Sequence, residues 1–234
     1  MTPLSFPPLF TGEDTRGEDP LHFACARAQA RCDAGLVAYD LRADVLHAAL
    51  VFAPEVPLRK AAIMLPICGI GFQNALGALA PPEIAVHLDW TGGIRINGGT
   101  AGLLKMVASP ASPDQVPDWM VVGLDLAIWP ASAETGNTPD VTALISEGCG
   151  DVEAPALLEA WVRHTLVWIN RWSEDGPRAI HSEWSGLVHG LEKEAQVRDI
   201  AGVFKGVDED FGMILHNDDG NQIIAITDIL TEVP

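Results

Sequence analysis

The sequence predicts an α+β fold: a mixed, largely antiparallel sheet with helices packed on one side, and a small β domain at the C-terminus. Three observations carry that prediction. The stretch Ile84–Lys105 alternates apolar and polar residues (Ile84, Val86, Leu88, Trp90, then Ile94 and Ile96) and is broken at Thr91-Gly92-Gly93 and Asn97-Gly98-Gly99. Period-two alternation interrupted by Gly-Gly and Asn-Gly pairs signals antiparallel strands and tight hairpins. Glu153–Glu174 carries Leu158, Trp161, Thr165, Trp168 and Trp172 at three- and four-residue spacing, the core-facing stripe of an amphipathic helix. After a charged junction at Glu192–Gln196, residues 197–234 read as three short strands, Asp199–Val207, Gly212–His216 and Gln222–Ile229. So short a β piece (SH3-like in size) holds little core alone and should pack on the rest.

The remaining elements follow in chain order. Residues 1–20 are rich in Pro, Gly and acids and read as an extended arm. The main domain, 21–191, opens with a helix over Leu21–Asp33. Gly35–Leu41 and Val45–Ala53 are apolar, strand-like runs joined by Arg42-Ala43-Asp44. Pro57–Leu79 reads as a long helix that Pro66 should kink or break. After the meander come a polar loop at Ser109–Asp118 and a nearly continuous apolar strand over Trp119–Trp129. Pro130–Gly150 reads as irregular, and a last helix covers Pro177–Leu191 with Ile180, Trp184 and Leu187 inward.

Charge narrows the partners. With 32 acidic against 14 basic residues the formal net charge is −18, which disfavours a nucleic-acid partner, because phosphate binding needs clustered Lys and Arg. No basic n-region precedes an apolar core at the N-terminus, and no apolar run is expected to reach membrane-spanning length. A cytoplasmic protein is expected. Cys25, Cys32, Cys68 and Cys149 form no CxxC pair, and read as buried free thiols.

Most local motifs carry no chemistry. The seven histidines (His22, His47, His87, His164, His181, His189, His216) form no HExxH pair, so no metal site is expected. Gly69-Ile70-Gly71 lacks the third glycine of a dinucleotide fingerprint and sits in a helical run, where close helix packing accounts for it. No GxSxG elbow or P-loop is present. The acidic turns Asp208-Glu209-Asp210 and Asp218-Asp219-Gly220-Asn221 lack EF-hand spacing and read as solvated.

The meander carries a resemblance. Asp89-Trp90-Thr91-Gly92-Gly93, then Asn97-Gly98, then Gly102-Leu103-Leu104 follow the Lys-Trp-Pro-Asn-Asp, Asn-Gly and Gly-Gly-Ile-Leu pattern of the biotin/lipoate protein ligase family. Val121-Val122-Gly123-Leu124-Asp125-Leu126-Ala127 is similar to its Val-Val-Gly-Ile-Gly-Ile-Asn strand. The element order and the terminal β piece resemble the family as well, over about residues 20–230. The resemblance implies a class II aminoacyl-tRNA synthetase/biotin ligase-like fold, and ATP with biotin or lipoate as substrates, Mg accompanying the ATP. It also implies transfer of the acyl group to a carrier-domain lysine. Trp90, Ile94, Gly102, Gly123 and Leu124 match positions lining the acyl pocket, although sheet core and turn roles explain them equally well.

Two departures touch the chemistry. The motif lysine, a cation where negative charge builds, is replaced by Asp89. The family's Arg- and Gly-rich loop is reduced to Leu41-Arg42-Ala43-Asp44. Lys105 and Arg42 are the candidate substitute cations. Two functions therefore stand: a biotin/lipoate ligase with degenerate adenylation motifs, or a catalytically inactive small-acid binding or regulatory protein.

Overall fold

The computed structural model describes residues 4–131 and 140–232; part of the segment expected to be irregular, 132–139, lies outside the described residues. Seven strands build the main sheet: β1 (Thr11–Asp14), β2 (Leu36–Leu41), β3 (Val45–Phe52), β4 (Val86–Leu88), β5 (Gly93–Ile96), β6 (Gly99–Ala108) and β7 (Met120–Ala127). Their order is β1-β2-β3-β7-β6-β5-β4. Every pairing is antiparallel except β1 with β2, so the sheet is mixed and largely antiparallel as expected. β3 and β7 lie at the centre and are buried on both faces over Ala48–Val51 and Met120–Leu124, which is what a nearly continuous apolar run demands.

Helices lie on both faces, not one. Leu46, Leu50, Val122, Leu124 and Leu126 face the larger core with α3 (Met64–Leu79), α4 (Ala154–Asp175) and α5 (Pro177–Leu187). Ala49, Val51, Val107 and Val121 face α1 (Pro20–Gln29), whose Ala24, Cys25 and Ala28 fill a second, smaller core. The small side chains on α1 let it sit close to the sheet. Its start is fixed by Asp19, whose carboxylate accepts from the His22 amide at 2.8 Å, and by Pro20 in the first turn. The N-terminal arm is not wholly free, because Thr11–Asp14 adds to the sheet edge through main-chain bonds.

The long helix does break, though ahead of Pro66. α2 (Leu58–Ala61) stops and α3 restarts at Met64, placing Pro66 in the first turn, where its missing N–H costs nothing. Leu58–Leu79 is long and apolar enough by composition to cross a membrane, which corrects the expectation drawn from the sequence. Most of it is buried in this fold: the Cys68 carbonyl accepts from Trp161 Nε1 at 3.0 Å, and a Cβ on Gly71 would lie 2.5 Å from Thr165 Oγ1. Gly69 and Gly71 thus serve close helix packing.

The C-terminal piece holds four strands rather than three. β8 (Glu194–Val197) occupies the charged junction, followed by β9 (Ile200–Val207), β10 (Met213–Asn217) and β11 (Gly220–Ile224), in the order β11-β10-β9-β8. A 3-10 turn at Ile226–Ile229 replaces the end of the expected last strand. Phe204, Phe211, Leu215, Ile224 and Ile226 join the larger core, so the small sheet shares its interior with the main domain.

Candidate functional site

Cross-strand register assembles a polar row that no sequence neighbourhood reveals. Asp40 stands opposite His47, His47 opposite Asp125, and Asp125 opposite Leu103. Directly opposed residues share a face, here the face that α1 covers farther along the strands. Lys105, one row along, reaches diagonally to place Nζ 2.7 Å from Asp125 Oδ2, while His47 Nδ1 donates to Asp125 Oδ1 at 2.6 Å. Arg42 donates its Nε to Asp40 Oδ2 at 2.7 Å. Side chains of His47, Asp125 and Lys105 are 31%, 37% and 38% exposed, so the row is reachable from solvent. Burial alone would push the Asp125 carboxyl up, but the hydrogen bonds and charges of Lys105 and His47 outweigh it and hold the group below its usual value.

The two candidate cations therefore lie on one polar surface, and each already holds a carboxylate. Beside Lys105 runs a groove of about 450 Å³, lined by Leu21 and His22 of α1, Leu103, Lys105 and Met106 of β6, and Ile229 from the C-terminal segment, among others. Gly123 stands under α1: a Cβ there would meet Leu21 Cδ1 at 3.1 Å. Gly102 is needed for a different reason, since a Cβ would come 2.7 Å from the Asp125 carbonyl oxygen.

The other predicted residues sit elsewhere. Ile94 and Leu124 are fully buried in the larger core, away from the polar row. Trp90 is buried too, and its Nε1 donates to the Phe211 carbonyl at 2.7 Å, bolting the meander to the C-terminal sheet. Asp89 and Trp90 line a small cavity with Gly92, Gly93, Leu104 and Phe211, but Asp89 is not a bare charge there. Its carboxylate accepts from Arg95 Nε at 2.9 and 3.0 Å and from His189 Nδ1 at 3.0 Å. The His189 amide also donates to the Leu88 carbonyl at 2.8 Å, so Asp89 and its neighbour hold the segment that leads into the small domain.

The profile of the biotin/lipoate A/B protein ligase family matches residues 6–186, most of the chain. The chain belongs to the biotin/lipoate A/B protein ligase family. A domain of unknown function (DUF4444) matches residues 192–232. A biotin–[acetyl-CoA-carboxylase] ligase of Paracoccus denitrificans is 23% identical over 186 residues, 77% of each chain. The crystal structure of a biotin protein ligase-like protein of unknown function from Silicibacter sp. TM1040 is 56% identical, with a TM-score of 0.93 over 98% of this chain and 100% of that one. Biotin protein ligase from Aquifex aeolicus shares the fold at 14% identity, with a TM-score of 0.72 over 88% and 92% of the two chains.

Against that family, the polar row has a readable origin. Asp125 occupies the position of the second glycine in the family's Val-Val-Gly-Ile-Gly-Ile-Asn strand. That departure, not singled out from the sequence, is the signal that could have found the site; His47 carried none, being one of seven scattered histidines. The residues present do not fit the charge of a nucleotide triphosphate. Both cations of the row are matched by carboxylates, and among the described residues no three His, Cys, Asp or Glu side chains converge to hold a metal ion. Thiol chemistry has no support either: all four cysteines are unpaired, Cys25 is pushed up to about 11 by burial and then by Asp19, and burial raises Cys32, Cys68 and Cys149 as well.

Proposed function

We propose that this family member binds biotin, lipoate or a related small carboxylic acid beside Lys105 and does not convert it to an acyl-adenylate. One observation carries the reading: Lys105 and Arg42 are each paired within the row, with Asp125 and Asp40. Adenylation needs preorganised positive charge where the α-phosphate and the leaving pyrophosphate gather negative charge. A row that is already self-neutralised offers little of it. A single carboxylate asks for less, because it can take Lys105 while Asp125 keeps the His47 hydrogen bond.

A second reading is favoured by the Paracoccus relative, which is named as a ligase: ATP-dependent activation of biotin or lipoate, followed by transfer to the lysine of a carrier domain. One experiment separates the two. The protein is mixed with ATP, Mg, biotin or lipoate and an apo carrier domain, and the carrier mass and AMP are followed next to an active ligase control. Binding of acid by calorimetry without a mass shift or AMP supports the first reading. A carrier mass increase supports the second and overturns the first.

A further inference from the structure

We propose that the C-terminal domain is the specificity wall of the acid groove, setting through Ile229 how large an acyl chain fits beside Lys105. This rests on the acid-binding reading above. Three contacts dock the domain, and the third carries it into the groove. First, Phe211 accepts the Trp90 indole N–H on its carbonyl, stacks on His181 with ring centroids 4.0 Å apart and meets the edge of Trp184 at 5.9 Å. Its backbone is held at φ 62 inside a turn in which Asp208 Oδ1 accepts from the Asp210 and Gly212 amides. The acidic turn expected to be solvated is thus a docking loop, with Asp210 also paired to Lys60. Second, the 3-10 turn Ile226–Ile229 packs against α2, with Ile226 buried.

Third, β6 outruns its neighbour. β5 covers it only as far as the pair Gly93 and Leu103, and beyond that its edge is met by the Gly92 carbonyl, which accepts from the Leu104 amide, and by the chain's own tail. The Thr231 amide donates to the Met106 carbonyl at 2.8 Å, which lays Ile229, Thr231 and Glu232 along the groove opposite Leu21 and His22 of α1. A carboxylate on Lys105 points its chain along β6 between Leu21 and Ile229. Ile229 is half-buried and is the apolar side chain of the tail on that wall, so its volume limits the chain. Leu65 of α3 and Thr91 of the meander line the groove as well, and Ile229 is the apolar wall residue that the C-terminal domain supplies.

The test uses the full chain and a series of straight-chain monocarboxylic acids from hexanoate to dodecanoate, with biotin and lipoate, titrated by calorimetry. Ile229→Trp is expected to weaken the longer acids at least tenfold while leaving hexanoate within about twofold, and Ile229→Ala to shift the preference toward longer chains. Thermal melts confirm that both variants remain folded; if Ile229→Trp does not, Ile229→Phe replaces it. Acids that bind with the same chain-length preference in wild type and variants overturn the wall but leave the acid-binding reading intact. No acid bound by the wild type overturns both.

Discussion

The two ends of the meander use charge in opposite ways. At Asp89-Trp90 every polar group is spent on structure: the carboxylate on Arg95 and His189, the indole on Phe211, all near the junction with the small domain. At Lys105 the charges are also paired, but across strands, on a surface over a third exposed and next to an open groove. The motif position that marks the reaction in the family has here become a fastener. The face that keeps accessible chemistry is the one where a glycine has become Asp125. An inverted charge in a motif therefore does not mean an inverted pocket; its partners decide.

The largest effect is expected at Trp90. Trp90→Ala removes a buried aromatic and leaves the Phe211 carbonyl without its donor, and is expected to cost about 3–5 kcal/mol in denaturant unfolding. A loss below about 1 kcal/mol would show that the indole does not fasten the domains. Asp89→Lys would set a second cation against Arg95 and leave His189 Nδ1 without its acceptor, and is expected to cost about 2 kcal/mol without improving binding of an acyl-adenylate analogue. Tighter binding of that analogue by Asp89→Lys would return the site to the motif position. Gly123→Ala pushes on Leu21 and should cost about 1 kcal/mol, sharpening the placement of α1 over the sheet.

The smallest effect is on pH dependence. The folded Asp125 carboxyl lies below its usual 3.8, so its contribution to stability is complete above that value and is lost as pH falls through the folded one. Asp125→Asn should therefore flatten the fall in melting temperature in that acid range and leave its slope near neutral pH unchanged. An identical acid limb in the variant would mean that the row is not formed in solution.

What could be read from the sequence follows from what each element buries. β3, β7, α3 and α4 were legible because their apolar periodicity reports burial directly. β1, with Thr-Gly-Glu-Asp, and β8, with Glu-Ala-Gln-Val, were not, since both are edge strands held by main-chain bonds and largely solvated. Lys105 and Arg42 were found as cations, but their partners Asp125 and Asp40 are set by register and local geometry. His47 lies 78 residues from Asp125, and only strand pairing joins them. Trp90 and Asp89 were matched to a family motif whose chemistry depends on partners that motif spacing does not encode.

Calorimetric titration of biotin and lipoate into the wild type and Asp125→Asn shows whether the acid sits on Lys105. Releasing Lys105 from its carboxylate removes an interaction of about 1 kcal/mol, so the acid that binds the wild type should bind the variant about fivefold more tightly. Unchanged or weaker binding in a folded Asp125→Asn protein would contradict the assignment of the acid to Lys105.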